Sequence, residues 1–249
     1  MRKLTFVFFI ALLAVVACSP TQTPSPKTEE EKTFYALGVN LSQQLSIFDL
    51  TPEELKYVQL GMADAAAGRK LVAEPEANMQ KLNQLAKDRM TKTTEKQKAL
   101  AKPFLEKAAT EKDARKTASG LIYTEIKAGT GAQPNAASVV KVNYVGTLID
   151  GKEFDSSAKL GQPVEFPLGQ VVPCWLEGVG MMKVGGKAKL VCPSEIAYGD
   201  KGHQPLIPGG ATLIFEVELL EVKAATAAPA MPAMPLVPPV PAPKPNAKK

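Results

Sequence analysis

The sequence predicts an α+β protein, helical before about residue 118 and mainly antiparallel β from there to about residue 223. Three observations carry this. Apolar residues recur at three- and four-residue spacing in the first half, they alternate with polar ones in the second, and within the second half only Trp175 to Met182 suits a helix. With 249 residues, 45% of them apolar, the chain has material for one ordinary core and for segments outside it.

The elements follow in order. Arg2 and Lys3 precede an apolar run from Leu4 to Val16, shorter than the ~20 residues that span a bilayer and suited to an export signal. The run ends in Val15, Val16, Ala17 and Cys18, which leaves two readings. It resembles the bacterial lipobox, which makes residues 1–18 a lipoprotein signal with Cys18 as the lipidated mature N-terminus. The other reading is a plain signal peptide cut at a small residue. In lipoproteins of that kind an uncharged Ser19 implies an outer-membrane anchor, here facing the periplasm; a soluble periplasmic or a surface-exposed protein is the alternative. Either way the mature chain occupies an oxidising envelope compartment. Residues 19–30, beginning SPTQTPSPKT, have nothing to bury and read as a flexible tether.

A helical domain is expected over residues 31–118. Phe34, Leu37, Leu41, Leu45 and Phe48 form one helical stripe. Thr51, Pro52 and Glu54 spell an N-cap, a first-turn proline and the closing member of a capping box; Leu55, Val58 and Met62 are that helix's stripe, and Gly68 its stop. A Lys/Glu/Gln/Ala-rich stretch from about 75 to 117 reads as one long helix with a kink or break near Ala101, imposed by Pro103. Such helices cannot enclose a core alone. Their stripes need either a second copy of the chain, making a homodimer through residues 31–118, or the C-terminal domain folded back on them.

Over residues 119–223, Val140, Val142 and Tyr144 alternate along a strand, Asp150-Gly151 makes a hairpin turn, and Glu153-Phe154 begins the return. Ala188, Leu190 and Cys192 face inward on another strand, as do Leu213, Phe215, Val217 and Leu219 on the last. Residues 224–249 are too rich in proline and alanine to fold and read as a disordered, partly polyproline-II tail, serving as a spacer or as a proline-motif ligand.

Several function classes drop out. The net charge of +5 arises from 30 basic and 25 acidic residues spread over helical surfaces, which is no nucleic-acid footprint. One histidine excludes a metal site built on two or more histidines of one chain, no Cys-x-x-Cys occurs, and Ser194 has no base in a recognisable motif beside it. No cofactor or metal is expected.

Four ordered blocks, VNYVGTLIDGKEFDSS, VVPCWLEGV, KLVCPSEIAYG and IPGGATLIFEVELL, make residues 120 to 223 resemble the FK506-binding-protein type of peptidyl-prolyl cis-trans isomerase. Residues from about 31 to 118 resemble the helical dimerisation domain of the macrophage-infectivity-potentiator and FkpA-like subfamily of bacterial envelope isomerases. The resemblance implies a half-barrel sheet wrapped on one short helix, a homodimer acting as rotamase and chaperone on proline-containing envelope proteins, and membrane contact by lipid anchor only. It implies a proline pocket lined by Tyr144, Phe154, Asp155, Val171, Val172, Trp175, Tyr198, His203, Leu206, Ile207 and Phe215. Trp175 is then the floor, with Phe154 and Phe215 as apolar walls. Tyr198 is the donor to the substrate carbonyl, and Asp155, which is also expected to cap a turn, is the polar group nearest the twisting bond. Leu160 replaces a frequent arginine, Val164 replaces a frequent phenylalanine, and the loop from Phe166 to Val171 is short, which affects inhibitor affinity and side-chain preference.

Relatives commonly carry glycine at position 174 and an aliphatic residue at position 192. With Cys18 assigned to lipid, Cys174 and Cys192 remain as a disulfide pinning helix to strand, or as two buried thiols. Two rival functions stay open beside the isomerase: a proline-peptide binding module without turnover, and a structural lipoprotein whose tail is the working part.

Overall fold

The computed structural model describes residues 25–224; the expected export signal, Cys18, most of the expected tether and the segment beyond Ala224 lie outside the described residues. The chain divides between Leu41 and Ser42 into two compact units. The described part of the first holds most of α1 (Glu29–Gln44), which opens on a reciprocal cap between Thr28 and Glu31 and leaves Phe34 and Leu37 exposed. The stripe expected to run on to Phe48 is interrupted. Leu45–Phe48 tighten into a 3-10 turn that ends at Asp49 in the left-handed region.

In the second unit, α2 (Pro52–Ala66) carries the expected Thr51–Glu54 capping box and stops before Gly68 at φ 63°. Helix α3 (Pro75–Ala108) passes through Pro103 as one element, so of the kink or break expected near Ala101 the break does not occur. A proline costs one backbone hydrogen bond, and packing at the same end outweighs that loss. Ala101 and Ala108 are buried, and Phe104 and Leu105 pack with Ala108 on Ile122 and Val191. The last turns of α3 therefore do fold back on the β domain.

That domain is one antiparallel sheet of β1 (Ala114–Lys116), β2 (Ile122–Lys127), β3 (Ser138–Leu148), β4 (Glu153–Ser156), β5 (Val164–Pro167), β6 (Lys187–Cys192) and β7 (Leu213–Ala224), in the order β1-β2-β6-β7-β3-β4 with β5 beside β3. Asp150 Oδ1 accepts the Lys152 amide at 2.9 Å in the β3–β4 turn, and Gly151 takes the left-handed conformation. The inward rows Val140, Val142 and Tyr144, Ala188 and Leu190, and Phe215, Val217 and Leu219 form one core with Cys174, Trp175 and Val179 of α4 (Pro173–Gly180). A Cβ at Gly178 would lie 2.7 Å from Leu190 Cδ1, so glycine lets α4 approach β6 closely. Val191, outward by alternation, is buried as well because the end of α3 covers it.

Candidate active site

Trp175 sits in the first turn of α4, after Pro173, and is 5% exposed. Three rings meet the indole edge to face: Tyr144 at 5.2 Å between centroids, Phe215 at 5.3 Å and Phe166 at 5.5 Å. Phe154 closes the group by an edge contact with Phe215 at 5.6 Å. Each such pair adds about 0.5–1.5 kcal/mol beyond the area it buries, so the wall is stiff.

The sheet register builds this cluster. Gly146 of β3 stands opposite Phe215 of β7 on one side and Asp155 of β4 on the other. A Cβ there would lie 2.6 Å from Phe154 Cζ and 3.0 Å from Phe215 Cε1. Only glycine leaves room for the two phenyl rings to cross the strand. Tyr144, Phe154, Trp175 and Phe215 are all buried, with only their edges reaching the surface. A groove of about 640 Å³, lined by Asn143, Ser157, Lys187, Glu216 and Glu218 among others, shares only Tyr144 with the site.

Tyr144 Oη donates to Asp155 Oδ2 at 2.6 Å. Burial, and next the bond to the carboxylate, push the Tyr144 phenol far above its ordinary pKa. Tyr198, about one third exposed, is also raised, first by burial and then by the charge of Asp155. One carboxylate thus acts on both phenols. The Tyr198 ring lies against His203 at 5.4 Å, and reciprocal backbone bonds between His203 and Ile207 close the loop that carries His203, Leu206 and Ile207. Ile207 is buried in the aromatic core, whereas Leu206 is exposed.

Contact thus joins Tyr144, Phe154, Asp155, Trp175 and Phe215, while Tyr198 and His203 form a second group tied to the first through the Asp155 field. Val171 and Val172 are half-buried against the core just before Trp175. Asp155 itself lies in β4 and receives Tyr144; the turn nearby is capped by Asp150. Phe166 belongs to the cluster although the sequence reading used it only to mark a loop. Its signal was the half-buried alternation with Val164 along β5. Cys174 and Cys192 are joined as a disulfide, with Cα atoms 5.9 Å apart, fastening the start of α4 to the end of β6.

Comparison with known proteins fits this geometry. The family described as FKBP-type peptidyl-prolyl cis-trans isomerase matches residues 131–220, and the domain amino terminal to that isomerase matches residues 30–124. The chain is 37% identical over 232 residues to the FKBP-type peptidyl-prolyl cis-trans isomerase FkpA of Escherichia coli, covering 88% of this chain and 85% of that protein. It is 33% identical over 232 residues to the outer membrane protein MIP of Legionella longbeachae, covering 90% and 98%. The crystal structure of Escherichia coli FkpA superposes with a TM-score of 0.60 at 37% identity, covering 81% of this chain and all of that one. Sequence, sheet and aromatic site agree, and the chain belongs to the FKBP-type peptidyl-prolyl cis-trans isomerases.

Proposed function

We propose that the Trp175 cluster is where this isomerase rotates X-Pro bonds, that it does so as a homodimeric chaperone, and that its substrates are proteins of a bacterial envelope. The observation that carries the site is Trp175 held by three rings beside the Tyr144–Asp155 pair.

The barrier to rotation is about 18–20 kcal/mol because resonance gives the amide C–N bond double-bond character. The planar amide is the more polar form and water favours it. On an apolar aromatic face that preference is withdrawn, and the twisted amide, with less charge on its oxygen, becomes relatively cheaper. The prolyl ring rests on Trp175 between Phe154, Phe215 and Phe166. Tyr198 donates to the substrate carbonyl, and Asp155 faces the pyramidalising nitrogen. Val171, Val172, His203, Leu206 and Ile207 hold the flanking residues. No bond is broken, so neither base nor nucleophile is required.

Apolar side chains left exposed on α2 and α3, Tyr57, Leu60, Leu82 and Leu85 among them, support pairing with a second copy. The name of the Legionella relative and the Cys18 reading together support an outer-membrane lipoprotein. Isomerisation rates on a short X-Pro peptide test the site. Trp175→Leu and Phe166→Leu each slow the full chain at least tenfold while its far-ultraviolet spectrum is kept; unchanged rates would overturn the assignment.

A further inference from the structure

We propose that the site's resident ligand is the chain's own C-terminal segment, which docks its distal prolines on the Trp175 cluster and competes with substrate. The proposal rests on the assignment of that cluster as the proline site. Eight of the chain's 21 prolines fall at positions 229, 232, 235, 238, 239, 241, 243 and 245, so the last 25 residues are a run of X-Pro bonds. The family match stops at residue 220, so the run is an addition to the catalytic domain.

Geometry decides which of these bonds arrive. Phe215, against Trp175, pairs with Gly146, and Ala224 pairs with Ser138, so the tail leaves the sheet nine residues along β7 from the site. At a strand rise of about 3.3 Å per residue the separation is about 30 Å. A chain spans at most about 3.3–3.6 Å per residue, so Pro229 and Pro232 stop short, Pro235 reaches with about 8 Å to spare, and Pro238 and Pro241 reach with slack. The bonds within reach suit the surface. Met234-Pro235, Val237-Pro238 and Val240-Pro241 put an apolar residue before proline, as an aromatic face requires, and the segment from 225 to 249 contains no acidic residue to oppose Asp155. Tethering holds such a segment near its site at an effective concentration on the order of millimolar, enough for weak single-proline contacts to be populated.

Trp175 is the chain's only tryptophan, so its emission reports occupancy independently of turnover. The experiment compares three full-length chains: the natural one, a distal variant (P235A, P238A, P239A, P241A, P243A and P245A) and a proximal control (P229A and P232A). The expected result is a shifted Trp175 emission, insensitive to dilution, and an apparent KM for an X-Pro peptide about twofold to tenfold lower in the distal variant, with the proximal control matching the natural chain. Identical emission and KM in all three would overturn the proposal, as would equal effects of the two variants. A shift that fades on dilution would also overturn it, because docking between molecules would then be its source. Absence of turnover in every chain would count against the site assignment instead, and the emission comparison would still decide the tail.

Discussion

Tyr144 Oη and Asp155 Oδ2 lie 2.6 Å apart, joined across two strands that meet opposite Gly146. The bond ties the carboxylate to a ring that packs on the indole, and in the proposed function the other carboxylate oxygen serves the substrate. Asp155→Asn keeps the shape and removes the charge. A hydrogen bond to a charged group is worth about 1.5–3 kcal/mol, so kcat/KM falls about tenfold to a hundredfold in a peptide isomerisation assay, with little change in fold. Tyr144→Phe loosens the carboxylate and has the smaller effect.

The same phenol gives a stability prediction at high pH. Its folded pKa is raised, first by burial and then by Asp155, so its contribution is complete below about pH 10, the unfolded value, and is lost as pH rises toward the folded one. Urea midpoints of the natural chain therefore fall above about pH 10, and Tyr144→Phe removes part of that fall.

Much of this site was legible in the sequence, for identifiable reasons. Strand alternation placed Tyr144, Leu190 and Phe215 inward, and turn chemistry gave Gly151; both signals are local. What was missed was decided by tertiary packing. Val191 alternates outward yet is buried, and α3 runs through Pro103, because the two meet; no local rule sees a helix arriving on the far face of a sheet. Phe166 escaped because β5 is only four residues long, too short for its period to stand out.

Glu54 joins a cap to a long-range tie. Arg89 donates to its carboxylate and to the backbone oxygens of Phe48 and Asp49, binding α3 to the turn before α2. The guanidinium first, and the Thr51 amide next, push the Glu54 pKa down to about 2. A lowered folded pKa stabilises above the unfolded value and is lost as pH falls from about 4.5 toward 2. Amide protection in α2, taken relative to the intrinsic exchange rate at each pH, falls across that window in the natural chain. In Glu54→Gln that protection is lower at neutral pH and does not fall further through the same window.

The Cys174–Cys192 bond closes a loop of 18 residues around α4. On the chain-entropy account a loop of that size contributes about 3 kcal/mol by restricting the unfolded chain. Cys192→Ser lowers the urea-derived stability by about that amount, and a reducing agent does the same to the natural chain and nothing to the variant. Because Trp175 follows Cys174 directly, the variant's indole emission also changes. Mass spectrometry showing two free thiols in protein isolated from an oxidising compartment would contradict the pairing.

The loop bearing His203 and Leu206 is braced from behind by α3, and the brace has two components of unequal strength. Lys98 Nζ pairs with Asp200 Oδ1 at 2.6 Å, but both side chains are about half exposed or more. Water and salt screen such a pair, and exposed pairs are worth about 0–1 kcal/mol. The other component is steric. Thr94 Oγ1 donates to the Asp200 carbonyl, and a Cβ at Gly209 would meet that carbonyl and lie 2.5 Å from Thr94 Oγ1. Backbone cannot swing aside as the end of a lysine can, so the glycine decides how closely helix and loop approach. Lys98→Ala therefore leaves kcat/KM within about fivefold, since a change of about 1.4 kcal/mol is needed for a factor of ten. Gly209→Ala pushes the loop off α3 and moves His203 and Tyr198 with it. Its kcat/KM falls at least tenfold, more through kcat than through KM, because the apolar floor at Trp175 is untouched while the groups that meet the twisted bond are displaced. A Gly209→Ala chain with natural kinetics would show that the helix merely lies beside the loop.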